Sequence, residues 1–135
     1  MAQIVMVVDD DPIVRLLHRK LVKVANISQE PLLFTNGRTA IDFLYTNYTR
    51  ENDFIILLDK DMPVMDGWEF LEEITSNFPA ENLSIAMVSA FSDKADVNRA
   101  SAYSQVVGYH EKPLQQDALK LIGAFAAEKR KVPLV

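Results

Sequence analysis

The sequence predicts an α/β domain built on a parallel sheet, and three observations carry that expectation. Short apolar runs alternate with longer amphipathic stretches from end to end, the pattern of successive βα units joined by right-handed crossovers. Two of the runs, "IVMVV" (4–8) and "FIILL" (54–58), are almost wholly apolar, as expected of strands covered on both faces. At 135 residues the chain has the size of one ordinary domain, enough to bury a full core without staples.

Taken in order, the strands are expected at 4–8, at "PLLF" (31–34), at 54–58, at "LSIAMV" (83–88) and at "VVGY" (106–109). Asp11-Pro12 opens the first helix with an N-cap acid and a proline at the first helical position. Val14, Leu17, Leu21 and Val24 then repeat at helical spacing. The second helix begins after Asn36-Gly37 and carries Ala40, Ile41 and Leu44. The third follows Asp66-Gly67 with Trp68, Leu71 and Ile74. Ser92 or Asp93 starts a fourth helix poor in apolar residues, and Leu114 to Glu128 forms the fifth. No repeat, low-complexity segment or linker interrupts this series. Residues 1–128 are read as one domain and 129–135 as a short tail, with no output domain.

Composition excludes several classes. Apolar content of 49% and charged content of 24% are those of a soluble globular protein. No apolar run is long enough to span a bilayer, and the N-terminus lacks the basic region of a signal peptide. With no cysteine, thiolate metal sites and disulfides are ruled out, and a cytoplasmic location is favoured. A net charge of −5 argues against a nucleic-acid binder, which would carry a basic face. The basic cluster Lys129-Arg130-Lys131 is expected to complement a helix C-terminus and solubilise the tail.

In open parallel sheets, ligands bind beyond the carboxyl ends of the strands. Strand one ends on Asp9-Asp10-Asp11, strand three on Asp59 with Asp61 beyond, strand four on Ser89, and strand five leads into Lys112-Pro113. Asp11 is accounted for as the N-cap. Each of the others has an ordinary reading as a turn acid, a helix-start hydroxyl or a solvated lysine, but their joint placement at one sheet edge does not. Like charges about 4 Å apart repel by roughly 4 kcal/mol at an effective dielectric near 20, and a hard divalent cation such as Mg²⁺ relieves that cost. A metal, a lysine and a hydroxyl around a carboxylate suit covalent phosphorylation of an aspartate.

"VVDDDP", "LLDKDMPVMDG", "VSA" and "EKP", in this order and at these spacings, closely resemble the receiver domain of two-component response regulators, from Ile4 to about Glu128. The resemblance implies a flavodoxin-like (βα)5 fold, a doubly wound five-stranded parallel sheet in the order 2-1-3-4-5 with helices on both faces. It implies that Asp59 is the phosphoacceptor. Asp10 would ligate Mg²⁺ directly, Asp9 would assist largely through water, and Asp61 would offer its backbone carbonyl. Ser89 would contact the attached phosphoryl group, Lys112 would pair with it, and the Lys112–Pro113 bond would be cis. Tyr109 takes the place of the aromatic switch residue, whose ring turns inward as the hydroxyl residue moves. Three positions depart from the usual pattern. Asp61 replaces Asn, the bulky Phe91 stands two residues after Ser89, and His110-Glu111 replaces a more aliphatic pair.

Two rival chemistries fit less well. Haloacid dehalogenase-type phosphohydrolases place Asp-x-Asp on the first strand and the acid pair last, the reverse of the order here, and a cap domain is lacking. Flavodoxin-like FMN binding needs a Ser/Thr/Gly-rich phosphate loop after strand one, where three aspartates would repel the phosphate. A pseudo-receiver that only binds partners is the remaining alternative, but such chains typically lose the acid, the hydroxyl or the lysine.

The resemblance therefore implies a single-domain phosphoacceptor signalling protein. It would be an enzyme only in self-phosphorylation from small donors and autodephosphorylation. A histidine kinase or phosphotransfer protein would supply the phosphoryl group, and a downstream protein would read the switched face of helix 4, strand 5 and helix 5. A homodimer through that face is one form the output could take; nucleic acid and membrane are not expected partners. Ile13 and Leu16, off the core stripe of helix 1, lie where receivers meet the kinase, and Trp68 reads as core edge.

Overall fold

A computed structural model describes residues 2–91 and 93–131, with only the backbone of Arg130 and Lys131. Strands and helices alternate strictly: β1 (Gln3–Val8), α1 (Pro12–Val24), β2 (Leu32–Phe34), α2 (Gly37–Asn47), β3 (Asp53–Asp59), α3 (Gly67–Asn77), β4 (Leu83–Ser89), α4 (Lys94–Ser101), β5 (Val106–Glu111) and α5 (Gln116–Lys131). The five strands form one sheet in the order β2-β1-β3-β4-β5, and every pairing is parallel. The order reverses between β1 and β3, which places a crevice above their carboxyl ends.

Alternation along the strands divides the core into two layers. Met6, Val8, Ile56, Leu58, Ile85 and Met87 pack on one face against Ala40, Ile41 and Leu44 of α2, Phe70, Leu71 and Ile74 of α3, and Ala100 of α4. Val5, Val7, Ile55, Leu57, Ala86 and Val88 pack on the other against Val22 of α1 and Leu119, Ile122 and Ala126 of α5. The central strands are thus apolar on both sides because both sides are covered.

Local chemistry starts each helix. Asp11 accepts from the Ile13 and Val14 amides with Pro12 following it, and Asn36 accepts from Thr39. Asp66 and Glu69 exchange hydrogen bonds in a capping box. At α4 the cap is Asp93, which accepts from Ala95; the alternative start at Ser92 lies outside the described residues.

Three expectations need correction. The buried stripe of α1 is centred on His18 and Val22, whereas Leu17 and Val24 of the expected stripe are 38% and 58% exposed. Helix α1 is apolar over a wider arc than it buries, and the polar His18 disguises the arc that faces inward. Helix α5 runs from Gln116 to Lys131: it starts after Leu114, which is buried in the preceding loop, and continues past Glu128 through the first three residues of the expected tail. Lys129 does not cap its own helix: its ammonium donates to the Leu83 carbonyl at the start of β4 (2.8 Å). The segment 132–135 of the expected tail lies outside the described residues.

Candidate functional site

Asp59 is the last residue of β3 and only 2% exposed. Its position is fixed by the sheet: Asp59 pairs with Val88, and the next residue, Lys60, donates its backbone N–H to the Val88 carbonyl (3.1 Å). The helix that follows is drawn close because Gly67 has no side chain. A Cβ there would stand 2.8 Å from the Asp59 carbonyl oxygen and 3.0 Å from Lys60 Cα.

Asp9, one residue past β1, is equally buried. Its Oδ1 accepts from the Asp11 amide (2.9 Å) and its backbone carbonyl from Arg15 Nη1 (2.7 Å). Asp10 is exposed beside it. The Lys112 ammonium bridges the two buried acids, 3.0 Å from Asp9 Oδ2 and 2.9 Å from Asp59 Oδ1. Burial disfavours the ammonium, but the hydrogen bonds and charges of Asp59 and Asp9 more than offset this and raise its pKa.

Asp59 itself is pushed up to about 7. Burial is the largest cause; the hydrogen bond from Lys112 opposes it, and the negative charge of Asp9 adds to it. Its Oδ1 also receives the Asp61 amide at 3.4 Å, while its Oδ2 is buried with no hydrogen-bond partner. Carboxylate oxygens of Asp9, Asp10 and Asp59 lie within 4.8 Å of one another. Clustered hard oxygens with one unpartnered buried atom fit a Mg²⁺ ion.

The other expected residues surround this centre. Ser89, the end of β4, is 1% exposed; its hydroxyl donates to the Phe91 carbonyl and its own carbonyl accepts from the Lys112 amide (2.8 Å). Tyr109 pairs in register with Met87, packs against the α2–α3–α4 side of the core, and buries a hydroxyl that has no hydrogen-bond partner. The Asp61 side chain turns outward, 80% exposed, and takes no part in the carboxylate cluster. The Lys112–Pro113 bond is cis, as expected. Trp68 sits at the core edge with the Arg99 guanidinium 4.1 Å over its ring.

Two residues at this edge escaped the sequence reading. Lys60, flanked by two acids, extends to α4 and holds Asp96 Oδ2 at 2.8 Å. His18 is 1% exposed and accepts the Leu114 amide on Nε2 (3.1 Å). A lone histidine inside an amphipathic helix gives no sequence signal of that kind.

Residues 5–122 match the model of the response regulator receiver domain. The chain belongs to that family. It is 28% identical over 100 residues to the response regulator Rcp1 of Synechocystis sp., covering 70% of this chain and 67% of that protein. It is 33% identical over 73 residues to the chemotaxis protein CheV2 of Helicobacter pylori, covering 54% of this chain but only 23% of that much longer relative. Among solved structures, a two-component response regulator from Cytophaga hutchinsonii superposes with a TM-score of 0.82 at 27% identity, over 95% of this receiver domain and 98% of that chain. A CheY-like receiver from Methanospirillum hungatei reaches 0.74 at 28% identity, over 97% and 98%. The doubly wound sheet order is thus the one receiver domains share.

Proposed function

We propose that Asp59 accepts a phosphoryl group from the phosphohistidine of a histidine kinase or phosphotransfer protein, and that the acyl phosphate switches a protein-binding face. The observation that carries this reading is the Asp59 carboxylate itself. It is fixed at the end of a central strand, with Lys112 on Oδ1 and no protein partner on Oδ2.

In the transfer, a carboxylate oxygen of Asp59 attacks phosphorus, a P–O bond forms and the P–N bond to imidazole breaks. The imidazole nitrogen keeps the electron pair and takes up a proton. Oδ2 is the oxygen that the hydrogen bonding leaves for the new bond. Lys112, already poised between Asp9 and Asp59, would turn its charge to a phosphoryl oxygen, and the Ser89 hydroxyl would leave the Phe91 carbonyl to donate to another. Asp9, Asp10 and Asp59, with the Asp61 carbonyl, would hold Mg²⁺, which supplies neutralising positive charge for the phosphoryl oxygens.

The mouth of the site suits protein docking. Ile13, Val64 and Phe91, from three different segments at this sheet edge, are 75%, 77% and 77% exposed. Leu16 and Leu17 extend the apolar surface along α1, which carries Arg15, Arg19, Lys20 and Lys23 and no acidic residue. An acidic, partly apolar face on the phosphodonor would complement this helix. Movement of Ser89 and Tyr109 would bias the α4–β5–α5 face between two states, read by a downstream protein or by a second copy of the chain. The output is binding, in keeping with a cytoplasmic signalling domain whose own chemistry is its phosphorylation and dephosphorylation.

Asp59→Asn tests the assignment. The variant is expected to keep the fold by circular dichroism and to take no phosphoryl group from a phosphorylated kinase; transfer at the wild-type level would refute it.

A further inference from the structure

We propose that His18 is a positioning residue for Lys112: its neutral Nε2 anchors the segment 112–114 to α1 and so holds the ammonium between Asp9 and Asp59. This rests on the reading of Asp59 as phosphoacceptor and adds a component on a different element.

The segment has two anchors. At one end the Lys112 amide donates to the Ser89 carbonyl (2.8 Å), tying it to β4. Two residues on, the Leu114 amide donates to His18 Nε2 (3.1 Å) in a fully buried contact between positions 96 apart in sequence. Leu114 is itself 3% exposed and packs with Val5 and Val7 of β1, the strand that leads into Asp9. The Lys112 backbone is therefore held from β4 on one side and from α1 on the other, and its side chain reaches back to the ends of β1 and β3. Without an acceptor at position 18, the Leu114 amide would be buried and unpaired, and the segment would have to move to satisfy it.

The contact also defines the state of the imidazole. A nitrogen that accepts cannot carry a proton, so the neutral ring bears its hydrogen on Nδ1. Burial lowers the His18 pKa most; the charge of Asp9 opposes this and that of Lys112 reinforces it. Burial thus favours the neutral ring that the contact requires. A leucine at position 18 could fill the space but could not accept the Leu114 amide.

His18→Leu removes the acceptor and keeps an apolar filler, while His18→Gln restores an acceptor of similar reach. Lys112 exposure is read by reductive methylation and peptide mass spectrometry, with Lys20 as the exposed internal standard. Methylation of Lys112 is expected to rise about fivefold in His18→Leu and to stay within about twofold of wild type in His18→Gln. Phosphorylation of Asp59 from acetyl phosphate with Mg²⁺ should slow by a similar factor in His18→Leu alone. In the wild-type protein, ¹H–¹⁵N correlation of the ring must show Nε2 without a proton. Unchanged Lys112 methylation in His18→Leu, no rescue by glutamine, or a protonated Nε2 would each overturn the inference. If wild type took up no phosphoryl group from any donor, the phosphoacceptor reading would fail, while the methylation and tautomer results would still decide the role of His18.

Discussion

Asp59 carries a carboxyl group into the sheet edge, where burial favours its neutral form and Lys112 favours the charged one. Burial wins: the group titrates near 7 in the folded chain against 3.8 as its ordinary value. Between these values the folded state holds a proton that the unfolded chain has released. The contribution of Asp59 to metal-free stability therefore falls as pH rises from about 4 to about 7, at a limiting slope of about 1.4 kcal/mol per pH unit, and levels off above. Asp59→Asn removes this contribution, so in urea denaturation in EDTA across that range the wild type should lose stability relative to the variant as pH rises, leaving the variant the more stable protein at neutral pH. Equal slopes for the two proteins would contradict the burial of a titrating Asp59. The same burial leaves one Asp59 carboxylate oxygen without a hydrogen-bond partner, the atom on which the proposed chemistry would draw.

At the scale of elements, the loop from β3 to α3 sets how close a helix comes to Asp59. Val64 adopts φ 69°, a left-handed conformation rare for a β-branched residue. The Met65 amide closes a tight turn onto the Pro63 carbonyl (2.7 Å), while buried Met65 and its carbonyl contact with the Gly37 amide (3.4 Å) hold the turn in place. Gly67 then lets α3 start against the Asp59 backbone. Gly67→Ala would force its Cβ onto backbone atoms that cannot yield, and is expected to destabilise the domain by about 1–3 kcal/mol. An unchanged urea midpoint would refute that close approach. Much of this was legible in the sequence. The two central strand runs, 4–8 and 54–58, were almost wholly apolar, and Asp11, Asn36 and Asp66 stood where helix caps belong. The stripe of α1 was not, because hydrophobic periodicity treats His18 as surface and Leu17 as core, and only the partner amide of Leu114 makes the histidine an inward residue. Lys129 was misread for a related reason: a charge near a helix end suggests a dipole partner, but a long side chain can reach another strand.

Over the whole molecule, charge is unevenly shared. The chain is acidic overall, yet α1 is entirely basic in its charged residues and lies beside the acidic crevice. The proposed phosphodonor would meet an attractive helix and an apolar rim at that edge before reaching the carboxylates, which would favour encounter in one orientation. Lys60, the residue after Asp59, holds Asp96 on α4, a direct link from the site to the face proposed for output. Among the described residues, no helix is long and apolar enough to cross a membrane. The residues of the site could be gathered from sequence because the parallel topology brings every strand's carboxyl end to one edge. Their pairing could not, since sequence does not say that one ammonium would lie between two buried acids. Phosphorylation of this edge on Asp59, as proposed, is tested most directly by intact and peptide mass spectrometry after incubation with Mg²⁺ and acetyl phosphate, with the phosphorylated kinase as a second donor. The expected result is a single acid-stable, base-labile phosphoryl group on Asp59, absent from Asp59→Asn; no gain from either donor, or an equal gain in the variant, would contradict it.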